Sequence, residues 1–220
     1  MAPKLRLHGI PMSSCAARSM ICLYEKGVEF ELVLVDFFIA AEHKQPPFLS
    51  KNPFGQIPVL EDGNLTLFES RAINEYVSNK FKDQGTDLIR HNSLEESALV
   101  KVWTEVESHQ FHPAISPIYN QHLLAPLYGK SSDQAIIDEH LEKLRMVLDV
   151  YEDRLGKTKY LAGDFYSLAD LHHMPMMFSF MKTPWGHVVN ERPKVKAWWE
   201  DISSRDAFKK VAVGMTIGDK

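Results

Sequence analysis

Two serines, Ser13 and Ser14, stand where a predicted loop meets the first predicted helix. From the local sequence the favoured interpretation is an N-cap, because a serine oxygen there accepts from a free N–H group of the first turn. The chemical alternative uses the same geometry, since a helix N-terminus stabilises an anion and a hydroxyl can donate to a thiolate. The hydroxyl cannot itself be a strong base. The pair therefore predicts a cap or an anion-stabilising site.

A second candidate, Glu69-Ser70, precedes the third predicted helix. One interpretation is a cap with an acidic residue at the first turn. The other is a site for an α-amino-acid group, in which the helix terminus binds the carboxylate and Glu69 binds the ammonium.

A third candidate, Ile57-Pro58, opens a predicted strand. Proline within a sheet is confined to an edge or a first position, so a simple strand entry is one interpretation. The other is a cis proline beside which the backbone of Ile57 pairs with an extended peptide, as in strand addition.

The histidines and cysteines of the sequence form no recognisable metal-binding or catalytic motif. His109 and His112 could share a helix face, but no carboxylate or cysteine set joins them, so surface or pocket histidines are favoured over a metal site. Cys15 and Cys22 are interpreted as packing residues. The sequence contains no GxGxxG, GxxxxGK[ST], HExxH, CxxC or GxSxG motif.

The elements that must position these residues alternate between strand and helix over the first eighty positions. Polarity patterns and an Asp-Gly turn predict strands at 4–8, 30–35, 57–60 and 65–68 and helices at 15–26 and 71–80. The near-continuous apolar run at 30–35 predicts a buried strand. The order is β-α-β followed by β-β-α, with a right-handed first crossover.

The rest of the sequence has no convincing strand pattern. Helices are predicted at 94–124, at 135–155, from 168 on with an interruption at Pro175, and at 193–202. Two prolines, Pro113 and Pro117, predict a kink in the first. Capping boxes are predicted for two helix starts, Ser131 with Gln134 and Ser167 with Asp170. The fold class is therefore an α/β domain at 1–82, a linker at 83–92 and an all-α domain at 93–220.

Composition excludes several classes of protein. The chain has 220 residues, of which 45% are hydrophobic and 25% charged, as in ordinary soluble domains. Because 25 basic and 29 acidic residues give a formal net charge of -4, no overall basic field exists to attract nucleic acid. Two cysteines and the lack of a signal or membrane segment predict a cytoplasmic protein without a membrane partner.

Seven segments share their pattern with a known family. They are 13–18 (SSCAAR), 42–44 (EHK), 52–58 (NPFGQIP), 67–73 (LFESRAI), 160–164 (YLAGD), 168–171 (LADL) and 197–199 (AWW). Together they resemble a plant phi-class cytosolic glutathione transferase over essentially the whole chain. The segments at 52–58 and 67–73 are the most specific. The segment 36–42 departs from the family pattern, being one residue longer and more apolar.

The resemblance implies a thioredoxin-like N-terminal domain, an all-helical C-terminal domain and a homodimer. It implies conjugation of reduced glutathione to hydrophobic electrophiles in detoxification, often with peroxidase activity on organic hydroperoxides. Glutathione is then a co-substrate, and no further cofactor or metal is expected.

Residue roles follow from the same resemblance. Ser13 matches the catalytic serine whose hydroxyl holds the glutathione thiolate. The glutathione-binding positions are His43 and Lys44 at the glycyl carboxylate, Gln56, Ile57 and Pro58 at the central cysteine and peptide, and Glu69 and Ser70 at the γ-glutamyl end. The electrophile pocket is matched by Met12, Phe37, Asn120 and Leu124. Phe54 matches the apolar side chain that enters the partner subunit.

Two other functions stay open. A non-catalytic carrier of flavonoids or other planar apolar ligands has the same fold, but it has no need of the thiolate-stabilising hydroxyl of Ser13. A thiol transferase or dehydroascorbate reductase needs a nucleophilic cysteine near the first helix start. Cys15 lies two residues after Ser13, about 200° round a helix from it, which disfavours this function.

Overall fold

The computed structural model describes residues 5–216, which divide into two compact units. The mixed unit contains the described residues up to Ile89 and those from Asp206 on, and the helical unit runs from Arg90 to Arg205. The strands are β1 (Leu5–Gly9), β2 (Phe30–Leu34), β3 (Val59–Asp62) and β4 (Leu65–Phe68). The helices are α1 (Ser14–Glu25), α2 (Pro46–Leu49), α3 (Ser70–Lys80), α4 (Leu94–Val106), α5 (His112–Tyr119), α6 (Ala125–Leu127), α7 (Gln134–Leu155), α8 (Leu168–Leu171), α9 (Met174–Met181), α10 (His187–Asn190), α11 (Pro193–Ser203) and α12 (Asp206–Ala212).

A sheet in the order β2-β1-β3-β4 forms the centre of the mixed unit. Strands β1 and β2 are parallel, and β3 is antiparallel to both β1 and β4. The predicted βαβ and ββα order is thereby confirmed, although Lys4, predicted in the first strand, lies outside the described residues. The prediction that 30–35 is a buried strand is wrong, because β2 is an edge strand and Leu34 is 67% exposed.

The last helix, α12, clusters with the mixed unit, whereas the predicted division assigned 93–220 to the helical domain. Its Phe208 and Val211 are buried, and the Lys210 ammonium lies over the ring of Tyr24 on α1, 4.3 Å from its centroid. Those contacts explain why α12 packs on α1. The boundaries at residues 82 and 93 stay predictions.

The long helix predicted at 94–124 is interrupted in the helical unit just before Pro113, as predicted, whereas Pro117 lies inside α5. Helices α4, α5 and α6 are joined by two π-helical segments at 107–111 and 120–124. Each segment ends shortly before a proline, Pro113 or Pro126, whose missing N–H group already removes a helical hydrogen bond.

The apolar stripe predicted for α7 is confirmed, since all its members are buried. They are Ile137, Leu141, Leu144, Leu148, Tyr151 and Leu155. The capping box of Ser131 with Gln134 is wrong, because Asp133 is the N-cap and accepts from the N–H groups of Ala135 and Ile136. A carboxylate one residue before the helix reaches both donors.

Candidate functional site

The start of α1 shows Ser13 as a cap and is compatible with the anion-stabilising role considered from the sequence. Ser13 is the N-cap, and its Oγ accepts from the N–H group of Ala16 at 3.3 Å. Ser14 is already the first helical residue, so it is not the cap. Because a hydroxyl can accept and donate at once, the proton of half-buried Ser13 can still be donated to an anion at this helix terminus.

Close packing fixes the loop that carries Ser13. The Ser13 N–H group donates to the carbonyl of Ile10 at 3.1 Å. A Cβ atom added at Gly9 would lie 2.9 Å from the Cβ of Ala16, so only glycine lets the end of β1 approach α1 this closely.

One apolar cluster gathers the loops that bear the predicted glutathione-binding residues. Its buried members are Val35, Phe48, Ile57 and Val59, and Ile10, Phe37 and Phe68 pack against it. Ile10 precedes Ser13, Ile57 follows Gln56, and Phe68 precedes Glu69. The structure therefore attaches the loops of three predicted subsites to the same small core.

The segment 52–58 is held by its own hydrogen bonds. Asn52 Nδ2 donates to the carbonyl of Gln56 at 2.8 Å, and Asn52 Oδ1 accepts from the N–H group of Phe54 at 3.0 Å. The Ile57-Pro58 bond is cis, the second of the two interpretations given for this motif. The side chain of Gln56 is exposed, whereas Ile57 and Pro58 are buried.

The loop that carries His43 and Lys44 closes onto this segment. A Cβ atom added at Gly55, whose φ is +57°, would lie 2.6 Å from the carbonyl oxygen of His43. Lys44 is exposed, and its ammonium donates a hydrogen bond to the carbonyl of Phe54 at 3.1 Å. The ammonium thus lies beside the predicted peptide-binding segment, where it can also meet a carboxylate.

His43 differs from Lys44 in its surroundings. It is buried, and its ring stacks on that of Phe37 with centroids 4.0 Å apart. Burial lowers the pKa of His43, and the Lys44 charge lowers it further, which favours the neutral ring at pH 7. His43 can therefore give a carboxylate a hydrogen bond but not a positive charge. It also ties the predicted glycyl end to Phe37 of the predicted electrophile pocket.

The γ-glutamyl candidates stand at the start of α3. Glu69 is exposed and has φ 67°, in the left-handed region that a residue with a Cβ atom rarely occupies. Ser70 is buried as the first helical residue. Its Oγ accepts from Nη1 of Arg18, 2.8 Å away on α1. The sequence motifs give Arg18 no role, although an arginine beside the apolar residues of a predicted helix is a usable signal.

The predicted electrophile positions fall in both units. Met12 and Phe37 are half-buried residues of the mixed unit. Asn120, which is exposed, and Leu124, which is half-buried, lie at the two ends of the second π-helical segment of the helical unit. Single-turn π-helical insertions of this kind are frequent at functional sites.

The other candidate residues behave as packing or surface groups. Burial raises the pKa of the Cys22 thiol to about 12, which leaves it protonated. His109 is exposed and 3.1 Å from Glu105. Among the described residues, no group of three or more His, Cys, Asp or Glu side chains could hold a metal ion.

Comparison with known proteins identifies the family. Residues 3–79 match the model of the glutathione S-transferase N-terminal domain, and residues 107–206 match that of the C-terminal domain. The chain belongs to the glutathione S-transferase family. It is 57% identical to glutathione S-transferase F13 of Arabidopsis thaliana over 213 residues, 97% of each protein. Plant relatives of this F type confirm the predicted phi class.

Solved transferase structures have the same fold. Glutathione transferase F7 from Populus trichocarpa superposes with a TM-score of 0.95 at 66% identity, covering 97% of this chain and 100% of that one. Glutathione S-transferase I from maize, solved in complex with an atrazine glutathione conjugate, gives a TM-score of 0.90 at 47% identity, covering 97% and 98%. The thioredoxin-like domain followed by a helical domain is thereby confirmed. No helix within residues 5–216 has the length and apolar character needed to cross a membrane.

Proposed function

We propose that this glutathione S-transferase conjugates reduced glutathione to hydrophobic electrophiles, with Ser13 donating a hydrogen bond to the thiolate. The observation that carries the proposal is the apolar cluster around Ile57, which packs with the loops bearing Ser13, Gln56 and Glu69. The glutathione conjugate bound to the maize relative supports the same chemistry.

Thiolate formation is the step that Ser13 would assist. A free thiol with a pKa near 8.5 is only about 3% ionised at pH 7. Lowering the pKa by about two units requires about 2.7 kcal/mol of preferential stabilisation of the thiolate. A hydroxyl donor and the N-terminus of α1 supply stabilisation of that kind. Holding the electrophile beside the sulfur supplies the rest of the acceleration.

The remaining contacts of glutathione follow its charges. Lys44 attracts the glycyl carboxylate, and the backbone of Ile57 pairs with the cysteinyl peptide. Glu69 binds the α-ammonium and Ser70 the α-carboxylate. Glutathione is a co-substrate in this scheme, and no other cofactor is required. The few cysteines, both free, agree with action in the cytoplasm.

A homodimer is part of the proposal. The Phe54 side chain is 65% exposed, which is unusual for an aromatic residue. In the helical unit an apolar cavity of about 590 Å³ opens between α4, α5 and α7, lined in part by Trp103, Ala114, Val147 and Val150. We propose that Phe54 of each copy enters this cavity of the other.

Steady-state assays test the activity. The purified protein should consume glutathione with an aryl halide or an isothiocyanate, and it should be tested in parallel with cumene hydroperoxide for the peroxidase activity. If the protein binds flavonoids but turns over none of these substrates, the proposed enzymatic function is overturned and the non-catalytic carrier is favoured.

A further inference from the structure

Arg18 is a charged residue buried in the middle of α1. It is 0% exposed, and its helical neighbours Ala17, Ile21 and Cys22 are equally buried. A guanidinium stays protonated in proteins, so its burial is unfavourable unless specific contacts compensate it.

Hydrogen bonds join Arg18 to α3. Its Nη1 donates to Ser70 Oγ at 2.8 Å and lies 3.8 Å from Cys15 Sγ. Its carbonyl accepts from Nδ2 of Asn74, also fully buried, at 3.3 Å. Both ends of Arg18 are thus joined to the first two turns of α3.

The bond from Arg18 decides what the Ser70 hydroxyl can do. A guanidinium can only donate, so it occupies a lone pair of Ser70 Oγ and leaves the hydroxyl proton to be donated onward. A hydroxyl that accepts from a cation becomes a stronger donor. Ser70 also stands at the N-terminus of α3, where an anion is favoured.

We infer that Arg18 is a positioning residue for the γ-glutamyl α-carboxylate of glutathione and acts through Ser70. The guanidinium fixes the direction in which Ser70 donates and adds positive charge behind it, without touching the ligand. This inference rests on the proposed function, because it takes glutathione as the ligand.

The test compares two ligands that differ in one group. Reduced glutathione carries the α-carboxylate, whereas 4-aminobutyryl-cysteinyl-glycine lacks it and is otherwise identical. For Arg18→Met, calorimetry should give a Kd for glutathione raised about tenfold, as for loss of a hydrogen bond to a charged group. The Kd for the analogue should change by less than about twofold, since it has no carboxylate for the pair to recognise. Turnover at saturating glutathione should stay close to that of the wild type.

Two further variants separate positioning from folding. Asn74→Ala removes the hydrogen bond to the Arg18 carbonyl and keeps the bond from the guanidinium to Ser70. It should lower Tm while leaving the ratio of the two Kd values unchanged. Ser70→Ala should lose the same discrimination as Arg18→Met, and the double variant should be no worse than Ser70→Ala alone, because the two residues act as one unit.

Several outcomes would overturn the inference. The first is that Arg18→Met weakens the binding of both ligands equally. The second is that the two substitutions have additive effects in the double variant. The third is that Ser70→Ala still prefers glutathione over the analogue as strongly as the wild type does. If Arg18→Met does not fold, the ratio of the two Kd values in Ser70→Ala is the measurement that supports or overturns the inference. A wild-type protein that binds glutathione but not better than the analogue overturns this inference alone, whereas one that binds neither ligand overturns the proposed function as well.

Discussion

At the residue scale, Ser13 combines capping with the proposed catalysis. Its oxygen accepts from the Ala16 N–H group, and its proton is what the thiolate would receive. Alanine removes both functions together and therefore cannot separate them. Aspartate retains the acceptor of a good N-cap and lacks the donated proton.

We predict that Ser13→Asp keeps Tm near the wild-type value, whereas Ser13→Ala lowers the free energy of unfolding by about 1 kcal/mol. Both should reduce turnover at pH 7 by about 10²-fold, as for the loss of one preorganised donor to an anion. Ser14→Ala is the matched control and should change neither quantity much, because Ser14 is not the cap. Thermal melts and pH titration of the thiolate absorbance of bound glutathione measure the two effects. An unchanged thiolate pKa in Ser13→Ala would mean that the helix terminus alone stabilises the anion.

Residue patterns gave the local features of the site among their alternatives and missed its long-range contacts. The cap at Ser13 and the cis bond before Pro58 depend on neighbours in sequence, which local patterns report. The Arg18 contact with Ser70 spans 52 positions. The stacking of His43 on Phe37 lies within one loop, but it depends on tertiary packing of both rings. No periodic pattern in the sequence indicates either contact.

At the element scale, the capping box of α8 is more than a cap. Asp170 accepts from the N–H groups of Ser167 and Leu161, both at 3.0 Å, and from the indole of Trp198 at 2.9 Å. Burial raises the pKa of Asp170 to about 6 even though these donors favour the carboxylate, so the group is mainly ionised at pH 7. The helix start, the preceding loop and α11 all depend on one side chain.

We predict that Asp170→Ala lowers the free energy of unfolding by about 3 kcal/mol or more, because it leaves several buried donors without an acceptor. A simple lost cap would account for only about 1 kcal/mol. Asp170→Asn keeps one acceptor oxygen, so its free energy of unfolding should lie between those of the wild type and Asp170→Ala. Urea unfolding measures the differences. The KM for glutathione should hardly change, and a large rise in it with normal stability would contradict this structural role.

An ion-pair cluster joins the sheet to the segment after α2. Glu61 on β3 contacts Lys51 and lies 2.6 Å from Nε2 of His8 on β1. Burial alone would raise the pKa of Glu61, but the hydrogen bonds from Lys51 and His8 outweigh it and lower the pKa to about 2. Folding therefore favours the ionised carboxylate.

We predict that Glu61→Gln destabilises the fold at pH 7 by about 1 kcal/mol, as for a partly exposed pair. The folded pKa is lower than the ordinary 4.5, so this stability is present above pH 4.5 and is lost as the pH falls toward 2. The gap between wild type and variant should close over that interval in urea titrations. Glu31→Gln, at an exposed partner of Arg6, is the control and should have little effect at any pH. A gap that persists at pH 2 would exclude the ion pairs as its cause.

Periodicity and turn residues predicted the four strands and the long helices, but they gave neither the helix α12 nor the place of β2 in the sheet. The apolar stripe of α7 specifies its buried face. The apolar run of β2 is compatible with a central or an edge strand, and only pairing decides between them. An apolar face such as that of Phe208 and Val211 on α12 likewise fits either unit. The missing information is the identity of the partner surface.

At the scale of the whole molecule, the helical unit exposes an apolar face on α4 and α7. Its most exposed members are Leu94, Val102, Met146 and Val150, each more than half exposed. Large apolar patches on a surface mark interaction sites. A second copy of the chain is the occupant we propose, because Phe54 offers an exposed aromatic side chain to a cavity in that face.

A symmetric dimer contains each Phe54-to-cavity contact twice, and this symmetry permits a complementation experiment. We predict that Phe54→Ala and Val150→Trp, which fills the cavity, each weaken dimerisation, because a buried aromatic anchor acts as a hot spot. In a mixture, the Phe54 of the Val150→Trp copy still meets the open cavity of the Phe54→Ala copy, so one of the two contacts is restored. Sedimentation at low micromolar concentration should therefore show more dimer in the mixture than in either variant alone. Phe38→Ala, at another exposed aromatic residue, is the control and should sediment as wild type. A mixture no more dimeric than its components would mean that Phe54 and this cavity do not bind each other.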